Sequence, residues 1–215
     1  MLTLFPNWPA MSVFLVAAFL VGISPGPGML YAVARGVSQG TKGAVVAVCG
    51  LSAGSFINCL VAATGLATVI SASDVAYDVV RYLGAAYLLY LAIRTLRAAA
   101  PDHLEVNALP QQDSNWKIFS QALLTNVVNP KSALFYLSFV PQFLDPARGS
   151  IFWQFIVLGL VFNFGGNTVN LIVALTFKQI GDRVLSDNPN AWRIQRWFTA
   201  SVLGGLALYL AASER

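Results

Sequence analysis

Residues 119–143 read FSQALLTNVVNPKSALFYLSFVPQF, an apolar run long enough to cross a bilayer, with Pro130 and one charge, Lys131, near its middle. A membrane helix needs roughly 20 mostly apolar residues to span the hydrocarbon, and a proline inside it removes a backbone hydrogen bond at a cost of about 3 kcal/mol. The stretch is therefore expected to be a membrane span broken at mid-depth. Its neighbours agree. No charge occurs in 1–34, 43–73, 149–177 or 198–213, and hydrophobic residues make up 57% of the 215 positions against 10% charged. A soluble domain of this length cannot cover its surface with so few charges.

Six spans follow, at 11–34, 44–70, 79–97, 119–143, 151–177 and 198–213. The third and sixth are the shortest apolar runs, so a five-span or re-entrant arrangement stays open. Loop charges favour six. With that count, nine lysines and arginines fall on one side, including Arg35, Lys42, Arg94, Arg97, Lys117 and Arg183, and three on the other, Arg81, Arg148 and Arg215. The positive-inside rule makes the nine-charge face cytoplasmic and puts both termini outside, in a bacterial inner membrane. The five tryptophans, Trp8, Trp116, Trp153, Trp192 and Trp197, all fall at proposed span ends. The first apolar run lacks a basic leader and reads as a permanent span, not a cleaved signal. Residues 98–118 and 178–197 read as cytoplasmic loops, the second with an option to lie flat at the headgroups. The net charge of +4 shows no basic cluster that would suggest nucleic acid. The expected partners are a small-molecule substrate, membrane lipid and, as an option, further copies of the chain.

The chain is one membrane domain, 1–215, with an internal repeat of 11–97 and 119–213. Span one holds Ser24-Pro25-Gly26 and then Leu30-Tyr31; span four holds Asn129-Pro130-Lys131 and then Phe135-Tyr136. Spans two and five share Gly-Leu followed seven places later by Asn58 and Asn167, and spans three and six share Leu-Gly and Tyr-Leu-Ala. Three spans per half place the halves in opposite orientation. Helices interrupted at corresponding positions of inverted repeats point to a transporter's binding site.

The candidate substrate-binding residues are thus Ser24, Pro25, Gly26, Pro27 and Gly28 at the first break and Asn129, Pro130 and Lys131 at the second. Ser55, Asn58, Asn163 and Asn167 line the space between, with Asn163, Asn167 and Asn170 on one helical face. Lys131 costs about 2.5–3.5 kcal/mol at the bilayer centre, and no span carries an acid to neutralise it. A substrate carboxylate, carbonyls freed by the prolines, or loss of its proton would each relieve that cost. The intramembrane serines and asparagines have an equal claim as interhelical glue. Gly50-x3-Gly54 and Gly165-Gly166 are expected to let helices approach closely.

In its motifs the chain resembles the LysE/RhtB family of amino-acid exporters. Ser24-Pro25-Gly26-Pro27, the run Gly84 to Leu91, and Leu124-x4-Asn129-Pro130-Lys131-x9-Pro141-Gln142-Phe143 carry the likeness, which runs from about Ala17 to Ala212. The resemblance implies export of amino acids or related small solutes, proton-driven in that family. Three places depart from its pattern. Gly28 stands where asparagine is usual, Gly54-Ser55 and Asn58 where Gly-Asp and a histidine are common, and no acid lies near Gly166. Lys131, or no titratable group, would then serve proton coupling.

Other classes fit less well. A thiol–disulfide carrier needs cysteines that meet, yet Cys49 and Cys59 are ten residues, about 15 Å, apart on one helix. A metal exporter, the nearer alternative because related folds move cations, wants acid, histidine or thiolate ligands, and the only histidine, His103, is in a loop. No base–nucleophile set lies in any span, so an enzyme is not expected, and neither is a metal or cofactor.

Overall fold

The computed structural model describes residues 4–24, 26–72, 74–97, 113–185 and 189–212. Among them every regular element is helical: α1 (Trp8–Ile23), α2 (Pro27–Ala72), α3 (Asp74–Arg97), α4 (Asn115–Val127), α5 (Pro130–Leu134), α6 (Ile151–Leu185) and α7 (Pro189–Ala212). Two stretches, Pro27–Gly65 and Ile151–Phe177, are long and apolar enough to cross a membrane, and Trp8–Ile23 is apolar but shorter. Proposed spans one and four do not appear as whole helices because each is cut in two. α3 carries Asp74, Asp78 and Arg81 in its first turns, which dilutes its apolar run.

The first break behaves as the prolines dictate. α1 ends at Ser24, whose extended backbone (φ −68°, ψ 117°) leaves the helix while its N–H still donates to Leu20 O. α2 starts at Pro27, the first-turn position where a missing N–H costs nothing, and Gly26 O accepts its opening bond from Leu30. Pro25 itself lies outside the described residues. α2 then runs past 34 to Gln39, turns at Gly40, and resumes at once. Gly40 has φ 71° and ψ −164°, a conformation that favours glycine. The expected 35–43 loop is thus a single-residue elbow between arms 27–39 and 41–72. Arg35, expected in that loop, sits instead on the first arm with 1% exposure.

The second break is capped on both sides. Val128 N–H donates to Leu124 O and Asn129 N–H to Asn126 O, closing α4. Asn129 then caps α5, its Oδ1 accepting from Lys131 N–H at 3.0 Å. Beyond Leu134 the helix widens to a π turn, Phe135–Phe139, and tightens to a 3₁₀ turn, Val140–Phe143. Pro141 explains the change, since it has no N–H for the regular ladder. Gln142 Nε2 supplies a donor to Ser138 O at 2.9 Å.

The second polar stretch, 178–197, is mostly helix. α6 continues to Leu185 and α7 begins at Pro189, so 189–197 belong to α7 and form no separate helix. The expected 98–118 loop holds the start of α4 from Asn115; residues 98–112, with His103, lie outside the described residues. Trp8, Trp116 and Trp153 are exposed near helix starts, Trp8 and Trp116 at 75%, whereas Trp197, expected at a span end, is exposed within α7 because that helix begins eight residues earlier.

Packing pairs α2 with α4 and α6, α1 with α6, and α3 with α7. One apolar cluster centres on Phe14, Phe135, Phe139, Phe143 and Phe162, with Phe135 and Phe162 stacked at 3.9 Å between centroids. A second joins the α2 arms to α4 and α6 through Ala32, Ala44, Ala47, Ile118, Ala122 and Ala174. Gly50 and Gly54 let α2 lie close against α4. A β-carbon at Gly54 would lie 2.5 Å from Leu123 O, and one at Gly50 would collide with Phe119 O. Gly22 lies close to α6, since a β-carbon on it would sit 3.3 Å from Gly166 Cα, but neither Gly165 nor Gly166 needs to be glycine for space: a β-carbon on either would meet nothing within 4 Å.

Candidate functional site

The two breaks face one cavity. Of the sequence-selected residues, Ser24, Gly26, Gly28, Ser55, Asn129, Lys131, Asn163 and Asn167 line it. Val21, Gly22, Met29, Asn126, Ser132, Phe162, Gly166 and Asn170 complete the wall. The space, counting its open mouth, is about 480 Å³. Pro27 and Pro130 stand behind the wall as the first residues of α2 and α5.

Lys131 reaches across from the second break to the first. Its Nζ donates to Ser24 O, the carbonyl at the end of α1, and its chain passes 3.8 Å from the point where Gly26 would carry a β-carbon. Of the three expected ways to relieve the lysine, the structure displays carbonyl contact. An ammonium has three donors, so this bond leaves capacity for a ligand.

The asparagines divide by role. Asn163 and Ser52 bond reciprocally, Ser52 Oγ to Asn163 Oδ1 and Asn163 Nδ2 to Ser52 O, each at 3.0 Å. Asn167 Nδ2 donates to Asn163 Oδ1 at 2.6 Å, and Asn170 Nδ2 to Asn167 Oδ1 at 3.3 Å. One face of α6 is thus a hydrogen-bonded amide ladder along the cavity. Asn58 does not reach the cavity. Its Nδ2 donates to Asn126 O at 3.0 Å, satisfying a carbonyl at the end of broken α4. Ser55 is oriented from below by Tyr136, hydroxyl to hydroxyl at 2.8 Å, and Tyr136 also donates to Gly159 O.

Sequence reasoning missed Asn126. It is 6% exposed, its Nδ2 donates to Leu51 O at 2.8 Å, and its Oδ1 finds no donor among the described residues. Its signal was the spacing to Asn129, three places on, where a helix would bring both to one face. The break obscured that periodicity.

At the end of α2's first arm lies a second polar cluster. Arg35 Nη2 pairs with Asp113 Oδ2 at 2.7 Å and donates to Gln121 Oε1 at 2.9 Å; its Nε donates to Tyr31 Oη at 3.1 Å. Lys117 Nζ pairs with the other oxygen, Asp113 Oδ1, at 2.7 Å. Hydrogen bonds from Lys117 and then Arg35 hold the Asp113 carboxyl below the usual carboxylate range. Among the described residues no group of three or more histidine, cysteine or acidic side chains could hold a metal ion.

Known proteins bear on what such a cavity does. Residues 19–214 match the model of the LysE type translocator family. The homoserine/homoserine lactone efflux proteins of Salmonella typhimurium and Salmonella typhi are each 30% identical to the chain over 171 residues, covering 80% of both partners. An uncharacterized membrane protein of Vibrio cholerae is 29% identical over 206 residues, 94% of this chain and 96% of its own length. No solved structure matches. A family match over most of the chain, and efflux proteins among its relatives, make this a membrane transporter that exports small solutes and not an enzyme: the chain belongs to the LysE type translocators.

Proposed function

We propose that the chain exports amino acids or their close derivatives from the cytoplasm through the cavity between its two broken helices. The observation that carries this is the cavity's composition. One fixed cation, Lys131, lies beside the backbone end of α1 and an amide ladder on α6. An ammonium suits a carboxylate, and amides suit the remaining donors and acceptors of a small polar solute. Homoserine and homoserine lactone, named for the Salmonella relatives, are the first solutes to test.

The proposed architecture is six crossings in two inverted three-helix repeats, with both termini outside the inner membrane. Helix pairing supports it. α1, the outer half of span one, packs on α6 (span five); α4, the first half of span four, packs on α2 (span two); α3 and α7 pack together. Such an exchange of partners is what a two-fold axis in the membrane plane generates. Labelling at residue 74 but not 103 in intact cells fits this topology, and the opposite pattern refutes it.

Function is tested by efflux from preloaded proteoliposomes. Homoserine or its lactone should leave protein-containing vesicles faster than empty ones, and Lys131→Gln should abolish the difference for homoserine, which carries a carboxylate, and reduce it much less for the lactone, which has none. Equal rates with and without protein, for both solutes and a panel of other amino acids, would sink the proposal.

A further inference from the structure

The Arg35 cluster lies between the cavity and one face of the protein. α2's first arm contributes Gly28 and Met29 to the cavity and then runs outward to Arg35, six residues or about 9 Å beyond Met29. α4 runs the other way, from Asp113 and Ser114 at that face to Asn126 at the cavity. The two walls are therefore joined, on the same side of the cavity, by Arg35–Asp113, Arg35–Gln121 and Tyr31–Gln121, the last at 3.0 Å. Tyr31 Oη also donates to Ile118 O, so the tyrosine meets α4 twice.

Burial makes this more than a surface ion pair. Arg35 is 1% exposed and the Asp113 side chain 7%. Exposed pairs hold little together, because water competes for both ends; here the Arg35 end is withdrawn from water, while Asp113 also holds half-exposed Lys117 through its other oxygen. Arg35 Nη1 finds no acceptor among the described residues, so the fork is only partly satisfied.

We infer that the Arg35–Asp113–Gln121 network is a gate, closing the passage between the cavity and the face that bears Arg35. The inference rests on reading the cavity as the transport site. In the proposed topology this is the cytoplasmic gate, so its release admits solute and its closure precedes release outside. Arg35 positions the two walls and does not touch the solute in the cavity.

The test follows access to a reporter. Ser132→Cys places a thiol in the cavity wall of the full chain, in a Cys49→Ser, Cys59→Ala background. A membrane-impermeant maleimide is then applied to inside-out and right-side-out vesicles. Asp113→Asn should raise the labelling rate from the Arg35 face by at least about fivefold, the low end of typical coupling between sites, and lower it from the opposite face. Gln121→Leu should act in the same direction, and it is read alone if Asp113→Asn fails to insert. Arg148→Gln, at the far end of broken span four, should not raise labelling from the Arg35 face. Rates that rise equally from both faces, or do not change, overturn the gate. Homoserine and its lactone serve as protecting probes. One-sided gating with no protection by either leaves the gate standing and refutes the solute reading.

Discussion

Lys131 is the residue on which solute recognition turns. Its bond to Ser24 O explains how a lysine is tolerated without an acid nearby, and it offers two roles that a substitution can separate. If Lys131 receives the solute carboxylate, Lys131→Gln should weaken binding of an amino acid much more than binding of its amide. Hydrogen bonds to charged groups contribute about 1.5–3 kcal/mol, so the acid-to-amide preference should fall roughly tenfold to a hundredfold. Isothermal titration with homoserine and its amide reads this ratio. A preference unchanged by the substitution means the lysine only braces the end of α1. Asn58 shows how the same chemistry serves structure alone. It looked like a lining residue by position, yet it adds a second donor to Asn126 O at the end of broken α4, beside Asn129 N–H.

The elements follow from glycine and proline placement, and glycines within one helix type differ sharply in consequence. A methyl at Gly54 would sit 2.5 Å from Leu123 O and 2.9 Å from Asn126 Cβ, across the α2–α4 contact. Gly54→Ala should cost about 1–3 kcal/mol, the usual range for overpacking. Gly165→Ala meets open space and should be neutral or stabilising by up to about 1 kcal/mol, since alanine suits a helix better. Thermal unfolding in detergent distinguishes them, and equal losses would contradict the packing described. The helical class and both break positions were legible because Ser24 to Gly28 and Asn129-Pro130 act locally. The elbow at Gly40 was not, because one glycine among charged residues reads equally as part of a loop. Arg35 was misplaced for the same reason: its charge suggested solvent, and only the tertiary partner Asp113, 78 positions away, makes its burial tolerable. Within the cavity, the break motifs themselves could be found from sequence, whereas Val21, Met29 and Phe162, apolar residues that no motif marks, needed the fold.

For the whole molecule, the Asp113 network ties stability to pH. A carboxyl held below its ordinary value stabilises the fold fully above the unfolded pKa, near 4, and loses that contribution as pH falls through the folded value. Melting temperature should therefore decline below about pH 4 in the natural sequence. Asp113→Asn should melt lower at pH 7 and decline less on acidification, so that the two curves converge. Parallel curves down to pH 3 would remove Asp113 from the acid response.

The described cavity wall holds one cation and no carboxylate, and this has an electrical consequence. Lys131 is then the group in the described wall that could exchange a proton, and where it keeps its charge through the cycle the current is the charge of the solute itself. A zwitterion would cross silently. An anion leaving an inside-negative cell would be driven outward by about 2.3 kcal/mol per 100 mV, and a cation would be held back by the same amount. Export through this cavity should then respond to membrane voltage according to the solute's ionisation, so that homoserine and its protonated lactone part company under an imposed potential.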